Sequence, residues 1–305
     1  LFFNKRPIVV TYHNIIEDEY YDDVPHLTLT HSASLFDKQM ALLREKLDVS
    51  SELRKGAVHV TFDDGYRNNL TVAAPILARH GVSATFFVPA VYFEHESVLW
   101  VDQMLMWLSH APDGSYVLLD LPIELSSDQA SKEKAFKSVW KKVCENYELK
   151  DKLLADMEAQ VPFANLPIVE GYRRQRYEGL TPKEVESLAK QGHRTACHSY
   201  RHDILTNLAD AELDDDFKQC ERLAAHYNSD WYAYPFGRPE EVDDRVVSRC
   251  ESGRYSFAFV NRNSTSTDSH RLPRINMPAT DDKYTIMAKL SGFERIVKSL
   301  LSLNK

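Results

Sequence analysis

The sequence contains little cysteine and no long apolar run, and each shortage excludes a class of protein. Four of its 305 residues are cysteine, and none of them form a Cys-x-x-Cys pair. This spacing is typical of neither a zinc knuckle nor a disulfide framework. Four free thiols favour a reducing compartment, although two disulfides are also compatible with the count. No apolar run approaches the roughly 20 residues that a membrane-spanning helix needs.

The sequence also lacks an excess of basic residues. It carries 37 Lys and Arg against 45 Asp and Glu, a formal net charge of -8 at pH 7. Nucleic acids and anionic membranes select basic surfaces, so the charge argues against both as main partners. The hydrophobic fraction of 43% and the charged fraction of 27% are ordinary for a globular protein. The length suits one large α/β domain or two smaller ones.

Short apolar runs alternate with helical patterns along most of the chain. The predicted strands are Pro7–Tyr12, Ala57–Phe62, Ala84–Pro89, His193–His198, Trp231–Pro235, Tyr255–Val260 and Arg271–Asn276. The predicted helices are Ser34–Lys46, Asn69–His80, Thr181–Gln191, Asp210–Tyr227, Glu240–Glu251 and Asp281–Ser302. Strands that alternate with helices predict a parallel sheet, either open or closed into a barrel.

One long segment interrupts this alternation. From about Leu99 to Glu178 the sequence predicts no strand, and Leu99–Leu108 has apolar residues at helical spacing. Residues 131–160 are dense in Lys, Glu, Leu and Ala, a composition typical of solvated helix faces. We therefore predict a helical insertion at about 99–178, after the third strand of the sheet.

Two adjacent carboxylates, Asp63 and Asp64, stand where an apolar run ends and Gly65 permits a sharp turn. Beyond a strand end the alternation of side chains relaxes, so both carboxylates can face one cleft. Like charges this close are unfavourable unless a cation or a proton separates their roles. The pair indicates one Asp bound to a metal and one free to move protons, although a solvated Asp-Asp-Gly turn is also common.

A histidine pair follows the fourth predicted strand. His198 and His202 are four residues apart, which would stack them on one side of a helical turn. Imidazole nitrogens and carboxylate oxygens are both ligands of zinc. In parallel α/β folds, active sites lie at the carboxyl ends of the strands, where both this pair and the Asp pair are expected.

These two motifs resemble those of the polysaccharide deacetylase family, carbohydrate esterase family 4. Thr61–Gly65 matches its Thr-Phe-Asp-Asp-Gly motif, and His198–His202 matches its His-Ser/Thr-x-x-His motif. The resemblance covers most of the chain apart from the insertion. It implies a single domain over 1–305, folded as a distorted (β/α)7-type barrel. It also implies that Asp63 is the general base and that Asp64, His198 and His202 are the metal ligands.

The third motif of the family departs from its usual form. Where most members have Arg-x-Pro-Tyr, this chain has Ala233-Tyr-Pro-Phe-Gly, which resembles the branch that includes poly-N-acetylglucosamine deacetylases. In that branch an Arg from a later strand can replace the missing one. Arg274 is therefore the expected partner that orients Asp63, and the backbone N–H of Phe236 the expected oxyanion donor.

Further roles also follow from the resemblance. Tyr66, Tyr234 and Pro235 are the expected substrate-binding residues. The usual Leu-x-His motif near the C-terminus is absent, and His270 lies in a polar loop. The exopolysaccharide branch resembles a circular permutation with its acid histidine in an N-terminal Tyr-His sequence, so His13 is the predicted general acid. A histidine held in the core is the alternative.

The resemblance implies metal-dependent de-N-acetylation of an N-acetylglucosamine-type sugar in a polysaccharide or its precursor, by a metal-activated water. Zn²⁺ is the expected cofactor, and Co²⁺ or Ni²⁺ tolerate the same ligands. Hydrolysis of a different amide, or a spent site that only binds carbohydrate, are the alternatives. No nucleic-acid partner or transmembrane segment is expected, and the oligomeric state stays open. Cytoplasmic action is expected unless a signal peptide precedes Leu1, in which case the protein would be periplasmic or secreted.

Overall fold

Buried parallel strands form the centre of the molecule. The structure, a computed structural model, describes residues 7–21, 29–95, 98–261 and 266–292. The strands are β1 (Ile8–Tyr12), β2 (Asn14–Ile16), β3 (Thr30–Ser32), β4 (Val58–Phe62), β5 (Thr85–Val88), β6 (Gly114–Leu118), β7 (Leu121–Leu125), β8 (Arg194–Cys197), β9 (Trp231–Ala233), β10 (Phe257–Val260), β11 (Leu272–Pro273) and β12 (Ile275–Asn276). Every residue of β1 and β4 is buried, as expected for parallel strands that are covered on both faces.

Helices surround this sheet and fill the insertion. The α-helices are α1 (Ala33–Lys46), α2 (Ala74–Arg79), α3 (Trp100–His110), α4 (Gln129–Glu145), α5 (Leu149–Gln160), α6 (Glu170–Tyr177), α7 (Pro182–Lys190), α8 (Asp210–His226), α9 (Asp244–Ser252) and α10 (Lys283–Ser291). A π-helical turn, Asn69–Ala73, leads into α2, and 3-10 turns occur at Asp18–Tyr20, Ala90–Phe93, Phe163–Asn165, Leu205–Asn207 and Pro239–Glu241. Each predicted helix corresponds to one or more of these elements, except that the end of the predicted Asp281–Ser302 helix lies outside the described residues.

A single segment near the C-terminus closes the sheet. The strand order is β11-β10-β9-β8-β5-β4-β1-β12, and each neighbouring pair is parallel. The two edge strands, β11 and β12, are separated in the chain by Arg274 alone, whose backbone N–H donates to the Val260 carbonyl at 3.0 Å. This short segment therefore pairs with β10 through β11 and with β1 through β12, so it nearly closes the sheet into a barrel. If β11 and β12 are counted as one strand, the barrel has seven parallel strands, which confirms the predicted distorted (β/α)7-type fold.

The insertion is helical, but the prediction that it contains no strand was wrong. Strands β6 and β7 form an antiparallel hairpin inside it. The two-residue turn is Leu119-Asp120, and both residues adopt positive φ angles, 53° and 62°. Turns of this kind usually carry Asn-Gly or Asp-Gly, so the local sequence held no hairpin signal. The hairpin forms because the insertion has its own apolar core, with Leu118 and Ile123 buried in it.

The insertion core is built around α3. Trp107 is fully buried, and its indole N–H lies 3.0 Å from the Met157 carbonyl and 2.9 Å from the Val161 carbonyl at the end of α5. A stacked pair, Trp100 and Trp140, joins α3 to α4 with ring centroids 5.7 Å apart. In the four described ranges, no helix combines the length and the apolar character that a membrane crossing requires.

Candidate active site

The residues of the candidate site follow the carboxyl ends of the parallel strands. His13 follows β1, Asp63 follows β4 and His198 follows β8. Asn261 follows β10, and Arg274 lies in the segment that closes the barrel. The parallel sheet brings these strand ends to one edge, so residues that are far apart in the chain meet there.

Asp64, His198 and His202 converge on one point. The Asp64 Oδ1 atom lies 3.2 Å from His198 Nε2 and 3.1 Å from His202 Nε2. All three residues are buried, and one potential ligand atom from each lies within 4.8 Å of the others. These are the three residues that the resemblance implies as metal ligands, and the fold brings them together from two separate loops.

The histidines do not lie on a helical turn, contrary to the reasoning from their spacing. Residues 198–204 form an irregular loop in which Ser199 and His202 have positive φ angles of 58° and 60°. Left-handed residues other than glycine are uncommon and mark a conformation that the surrounding structure imposes. The loop turns both imidazoles toward Asp64, and their ring centroids lie 5.0 Å apart.

The donor atoms at this point fit a divalent cation. The His198 Nδ1–H donates to the Ala233 carbonyl at 2.7 Å, which leaves the Nε2 lone pair directed at Asp64. Asp64 Oδ1 is buried, and no hydrogen-bond donor reaches it from the described residues. A lone pair facing a carboxylate oxygen without a proton between them is unfavourable, and a cation bound by all three groups would remove the conflict.

Asp63 faces away from this triad and pairs with Arg274. The two guanidinium nitrogens Nη1 and Nη2 each lie 2.6 Å from one carboxylate oxygen, and both side chains are fully buried. Burial by itself raises the pKa of Asp63, but the charge of Arg274, with smaller contributions from His198 and His13, holds the pKa below its ordinary value. Asp63 is therefore ionised at neutral pH.

The predicted acid, His13, lies beside Asp63. Its Nε2 atom is 3.8 Å from Asp63 Oδ2, and the side chain lines the same cleft as Asp64. Burial holds the pKa of His13 below its ordinary value, and the charges of Asp64 and Asp63 oppose that effect only in part. His270, the other candidate, contacts the Tyr255 carbonyl through Nε2 at 2.9 Å and does not line this cleft.

The residues predicted from the third motif separate into two groups. Phe236 lines the cleft with its ring 4.7 Å from that of His202, and it has a φ of 58°. Gly237 follows at φ 69°, where a Cβ atom would lie 2.5 Å from the Asn261 backbone nitrogen. Tyr234 and Pro235 are both buried and do not line the cleft, and the Tyr234 hydroxyl donates to the His270 carbonyl at 3.1 Å.

The cleft has a volume of about 420 Å³ and several polar residues that the sequence analysis did not select. Tyr66, a predicted substrate contact, lines it and donates its hydroxyl to Asp102, at 3.1 Å from Oδ1 and 3.0 Å from Oδ2. Burial and the charge of Asp64 raise the pKa of Asp102 to about 7. Asn14, Arg176, Arg238, Asn261 and Asn276 also line the cleft. Asp102, Arg176, Asn261 and Asn276 belong to no short motif, so no local signal in the sequence could have found them.

Three solved structures resemble this chain over nearly its whole length. The deacetylase PplD of Streptococcus pyogenes, in complex with acetate, has a TM-score of 0.54 at 16% identity, covering 93% of this chain and 99% of that one. A de-N-acetylase from Aggregatibacter actinomycetemcomitans has a TM-score of 0.55 at 14% identity, covering 93% and 99%. IcaB from Ammonifex degensii has a TM-score of 0.53 at 13% identity, covering 94% and 97%. At these identities the likeness shows a shared fold.

The sequence itself identifies the family. A search of curated proteins finds no match. The family profile of polysaccharide deacetylases, in contrast, matches residues 50–117 and 148–256, together more than half of the chain. The matched ranges contain the Asp-Asp-Gly motif, the histidine pair and the third motif at 233–237. The chain therefore belongs to the polysaccharide deacetylase family.

Proposed function

We propose that this protein removes the acetyl group from an N-acetylglucosamine-type sugar in a polysaccharide or its precursor, with a divalent cation held by Asp64, His198 and His202. The observation that carries the proposal is the division of roles between the two aspartates. One faces two imidazoles with an oxygen that receives no donor from the described part of the chain, and the other is held ionised by an arginine. A cation site with a base beside it is an arrangement that activates water for amide hydrolysis.

A cation in this site would activate a water molecule for attack and polarise the acetamide carbonyl. Zinc is the first candidate, and cobalt or nickel accept the same two imidazoles and one carboxylate. Asp63 is the proposed base, and its Oδ2 atom lies 4.0 Å from His198 Nε2, next to the proposed cation site. Arg274 keeps Asp63 ionised and fixes the direction of its carboxylate.

Two further groups complete the proposed reaction. The backbone N–H of Phe236 would donate to the oxyanion that forms on the acetyl carbonyl, and removal of one such donor typically costs about 3–4 kcal/mol of transition-state stabilisation. His13 would give a proton to the sugar nitrogen as the bond to the acetyl carbon breaks, because an amide anion is a poor leaving group. His13 lies 3.8 Å from Asp63, so the proposed acid and base are adjacent.

The family and the shape of the site support the proposed substrate class. The open cleft of about 420 Å³ is large enough for a sugar residue of a chain. The third motif resembles the exopolysaccharide branch, and IcaB is among the structural neighbours. These observations favour a poly-N-acetylglucosamine-like polymer. Hydrolysis of another amide and binding of carbohydrate without turnover are the two alternatives.

The proposal is tested by acetate release from oligomers of N-acetylglucosamine with zinc-loaded protein. We expect turnover that a chelator abolishes and that Asp63→Asn reduces by at least about 10³-fold, because the neutral amide cannot accept the proton. His13→Gln should lose most turnover while still binding zinc.

His270→Gln is the matched control for the acid, because His270 does not line the cleft, and it should retain activity. Activity that persists in chelated Asp63→Asn protein would exclude the mechanism. Oligomer binding without acetate release under zinc, cobalt and nickel would instead support a protein that only binds carbohydrate.

A further inference from the structure

We propose that Asp102, on helix α3 of the insertion, determines substrate specificity by binding hydroxyl groups of the sugar together with Tyr66. This inference rests on the proposed function and extends it, because it makes the insertion part of the substrate site. No short motif contains Asp102, and the family's metal and catalytic motifs do not include it.

The position of Asp102 is unusual for an acidic residue on an insertion helix. Its side chain is only 5% exposed, yet it lines the cleft that contains Asp64 and His202. Acidic residues are rarely buried to this degree unless they are paired or functional. The Tyr66 hydroxyl lies almost equally far from its two oxygens, at 3.1 Å and 3.0 Å.

This contact leaves Asp102 with capacity for a ligand. A carboxylate offers about four acceptor sites, and the single proton of a phenol occupies only part of them. The Tyr66 oxygen, while donating to Asp102, can itself accept a hydrogen bond. The two side chains therefore present neighbouring acceptor groups to the cleft. Sugar hydroxyls are the matching donors.

The insertion is fixed to the loop that carries the proposed metal ligands, which keeps Asp102 at a constant distance from the reacting centre. The Trp100 indole N–H, two residues before Asp102, donates to the His202 carbonyl at 3.0 Å. The Tyr147 hydroxyl and the Lys150 ammonium donate to Asp203 at 2.6 Å and 2.5 Å. A specificity residue needs this kind of rigid support to discriminate between ligands.

The groups around Asp102 suit a polyhydroxyl ligand. Three asparagines, Asn14, Asn261 and Asn276, line the same cleft, and their amides both donate and accept hydrogen bonds. Two arginines, Arg176 and Arg238, line the cleft together with the carboxyl groups of Asp64 and Asp102, so the lining contains charges of both signs. A sugar ring with several hydroxyls satisfies this mixture of groups without introducing a charge.

The test compares wild type and Asp102→Ala on an N-acetylglucosamine oligomer and on its 3-deoxy, 4-deoxy and 6-deoxy analogues. We expect Asp102→Ala to lower kcat/KM for the parent oligomer by about 10- to 100-fold, the range for a hydrogen bond to a charged group. On the analogue that lacks the hydroxyl bound by Asp102, the kcat/KM of the wild type should fall by a similar factor relative to the parent oligomer. The kcat/KM of Asp102→Ala should be the same on that analogue as on the parent. Asp102→Asn, which keeps the shape and one acceptor, should give a smaller loss.

Asp120→Ala is the matched control, because Asp120 lies in the same insertion with its side chain 86% exposed. It should leave the preference among the analogues unchanged. The inference would be overturned if Asp102→Ala lowered kcat/KM by the same factor on the parent oligomer and on every deoxy analogue. It would also be overturned if Asp102→Ala left kcat/KM on the parent oligomer unchanged.

If the wild type releases no acetate, the proposed function fails, and oligomer affinity measured by calorimetry then decides the inference separately. The inference would still be supported if Asp102→Ala bound the parent oligomer more weakly than the wild type and this difference in affinity disappeared for one deoxy analogue. Equal affinity of both proteins for the parent oligomer would overturn it.

Discussion

Two adjacent aspartates have different partners because the backbone turns sharply between them. Asp64 has a φ of 69° and Gly65 a φ of 62°, so the chain reverses at once after Asp63. A Cβ atom at Gly65 would lie 3.0 Å from Val88 Cγ1, which favours glycine there in addition to the positive φ. The turn directs Asp63 toward Arg274 and Asp64 toward the histidines. Two residues that are adjacent in the sequence therefore contact different partners.

The buried pair of Asp63 and Arg274 yields a prediction about pH. Arg274→Leu removes the charge that lowers the pKa of Asp63, so that pKa should rise and the acid limb of the kcat/KM profile should move to higher pH. Breaking a buried ion pair should also destabilise the fold by about 3–5 kcal/mol at neutral pH. Because the folded pKa of wild-type Asp63 lies below 3.8, its stabilisation is present at neutral pH and is lost as the pH falls through the folded value.

Urea unfolding at several pH values and a pH–rate profile measure these two effects. The gap in unfolding free energy between wild type and Arg274→Leu should narrow in acid. Arg274→Lys, which retains the charge without the two-pronged contact, is the control and should shift the acid limb less. An unshifted acid limb in Arg274→Leu would show that Arg274 does not control the ionisation of Asp63.

The loop at 198–204 depends on supports from the elements around it. Tyr147 accepts a hydrogen bond from the Ile204 backbone N–H at 3.1 Å and donates to Asp203 at 2.6 Å. On the other side, Asp216 of α8 accepts from the Tyr200 backbone N–H at 2.9 Å. An irregular loop has no internal ladder of hydrogen bonds, so these supports hold its left-handed residues in place.

Tyr147→Phe should therefore affect both stability and metal binding. The substitution leaves the Ile204 N–H without its acceptor and removes one donor from Asp203, so we expect a loss of about 1–3 kcal/mol in unfolding free energy. The loosened loop should also weaken zinc binding by about tenfold, as the loss of supporting groups around metal ligands does elsewhere. Urea titration and competition with a chromophoric chelator measure the two quantities.

Tyr116→Phe is the matched control for Tyr147→Phe. Tyr116 lies in the hairpin of the same insertion, and its hydroxyl donates to the exposed Pro112 carbonyl at 2.7 Å. It should change unfolding free energy by less than about 0.5 kcal/mol and leave zinc binding unchanged. Equal effects of the two tyrosine variants would mean that the insertion does not support the loop.

At the scale of the whole molecule, the site is assembled from both ends of the chain. Asp63 and Arg274 are 211 positions apart, and His13 and Asp63 are 50 apart. The segment that carries Arg274 also closes the barrel between β10 and β1. The segment that closes the barrel is therefore also the one that places Arg274 beside the proposed base, Asp63.

The assembly of the proposed metal ligands from separate loops predicts that zinc stabilises the folded state. A ligand that binds only the folded chain stabilises it by about 2.7 kcal/mol at a concentration of 100 times Kd. Thermal unfolding should therefore show a higher Tm with zinc and a return to the apo value with a chelator. Asp64→Asn should lose most of the shift.

A second group of potential ligands, Glu251, Asp268 and His270, provides the control. Glu251 is exposed and the other two are partly exposed, so a cation there would contact solvent and bind weakly. His270→Gln should keep the zinc-induced rise in Tm. A rise that persists in Asp64→Asn and disappears in His270→Gln would move the metal site to that second group.

Particular residues show how far sequence reasoning reached. Six of the seven predicted strands are present as single strands, because buried parallel strands are encoded in short apolar runs that can be read locally. The seventh, Arg271–Asn276, is divided into β11 and β12. The hairpin β6–β7 was missed because its turn, Leu119-Asp120, lacks glycine and asparagine. The spacing of His198 and His202 was interpreted as helical, whereas left-handed residues in a loop bring the rings together. Tyr234 was predicted at the substrate, but its side chain is buried away from the cleft.

The sequence by itself determined the alternating strands and helices, the family, and the grouping of Asp64 with His198 and His202. These depend on composition and short motifs, which act over a few residues. The family resemblance already implied Arg274 and His13. Only the tertiary structure decided how near these two lie to Asp63, that Asp102 of the insertion enters the cleft, and that Tyr234 does not. Such contacts depend on how the barrel closes and where the insertion packs, and no pattern of neighbouring residues encodes a distance across the fold.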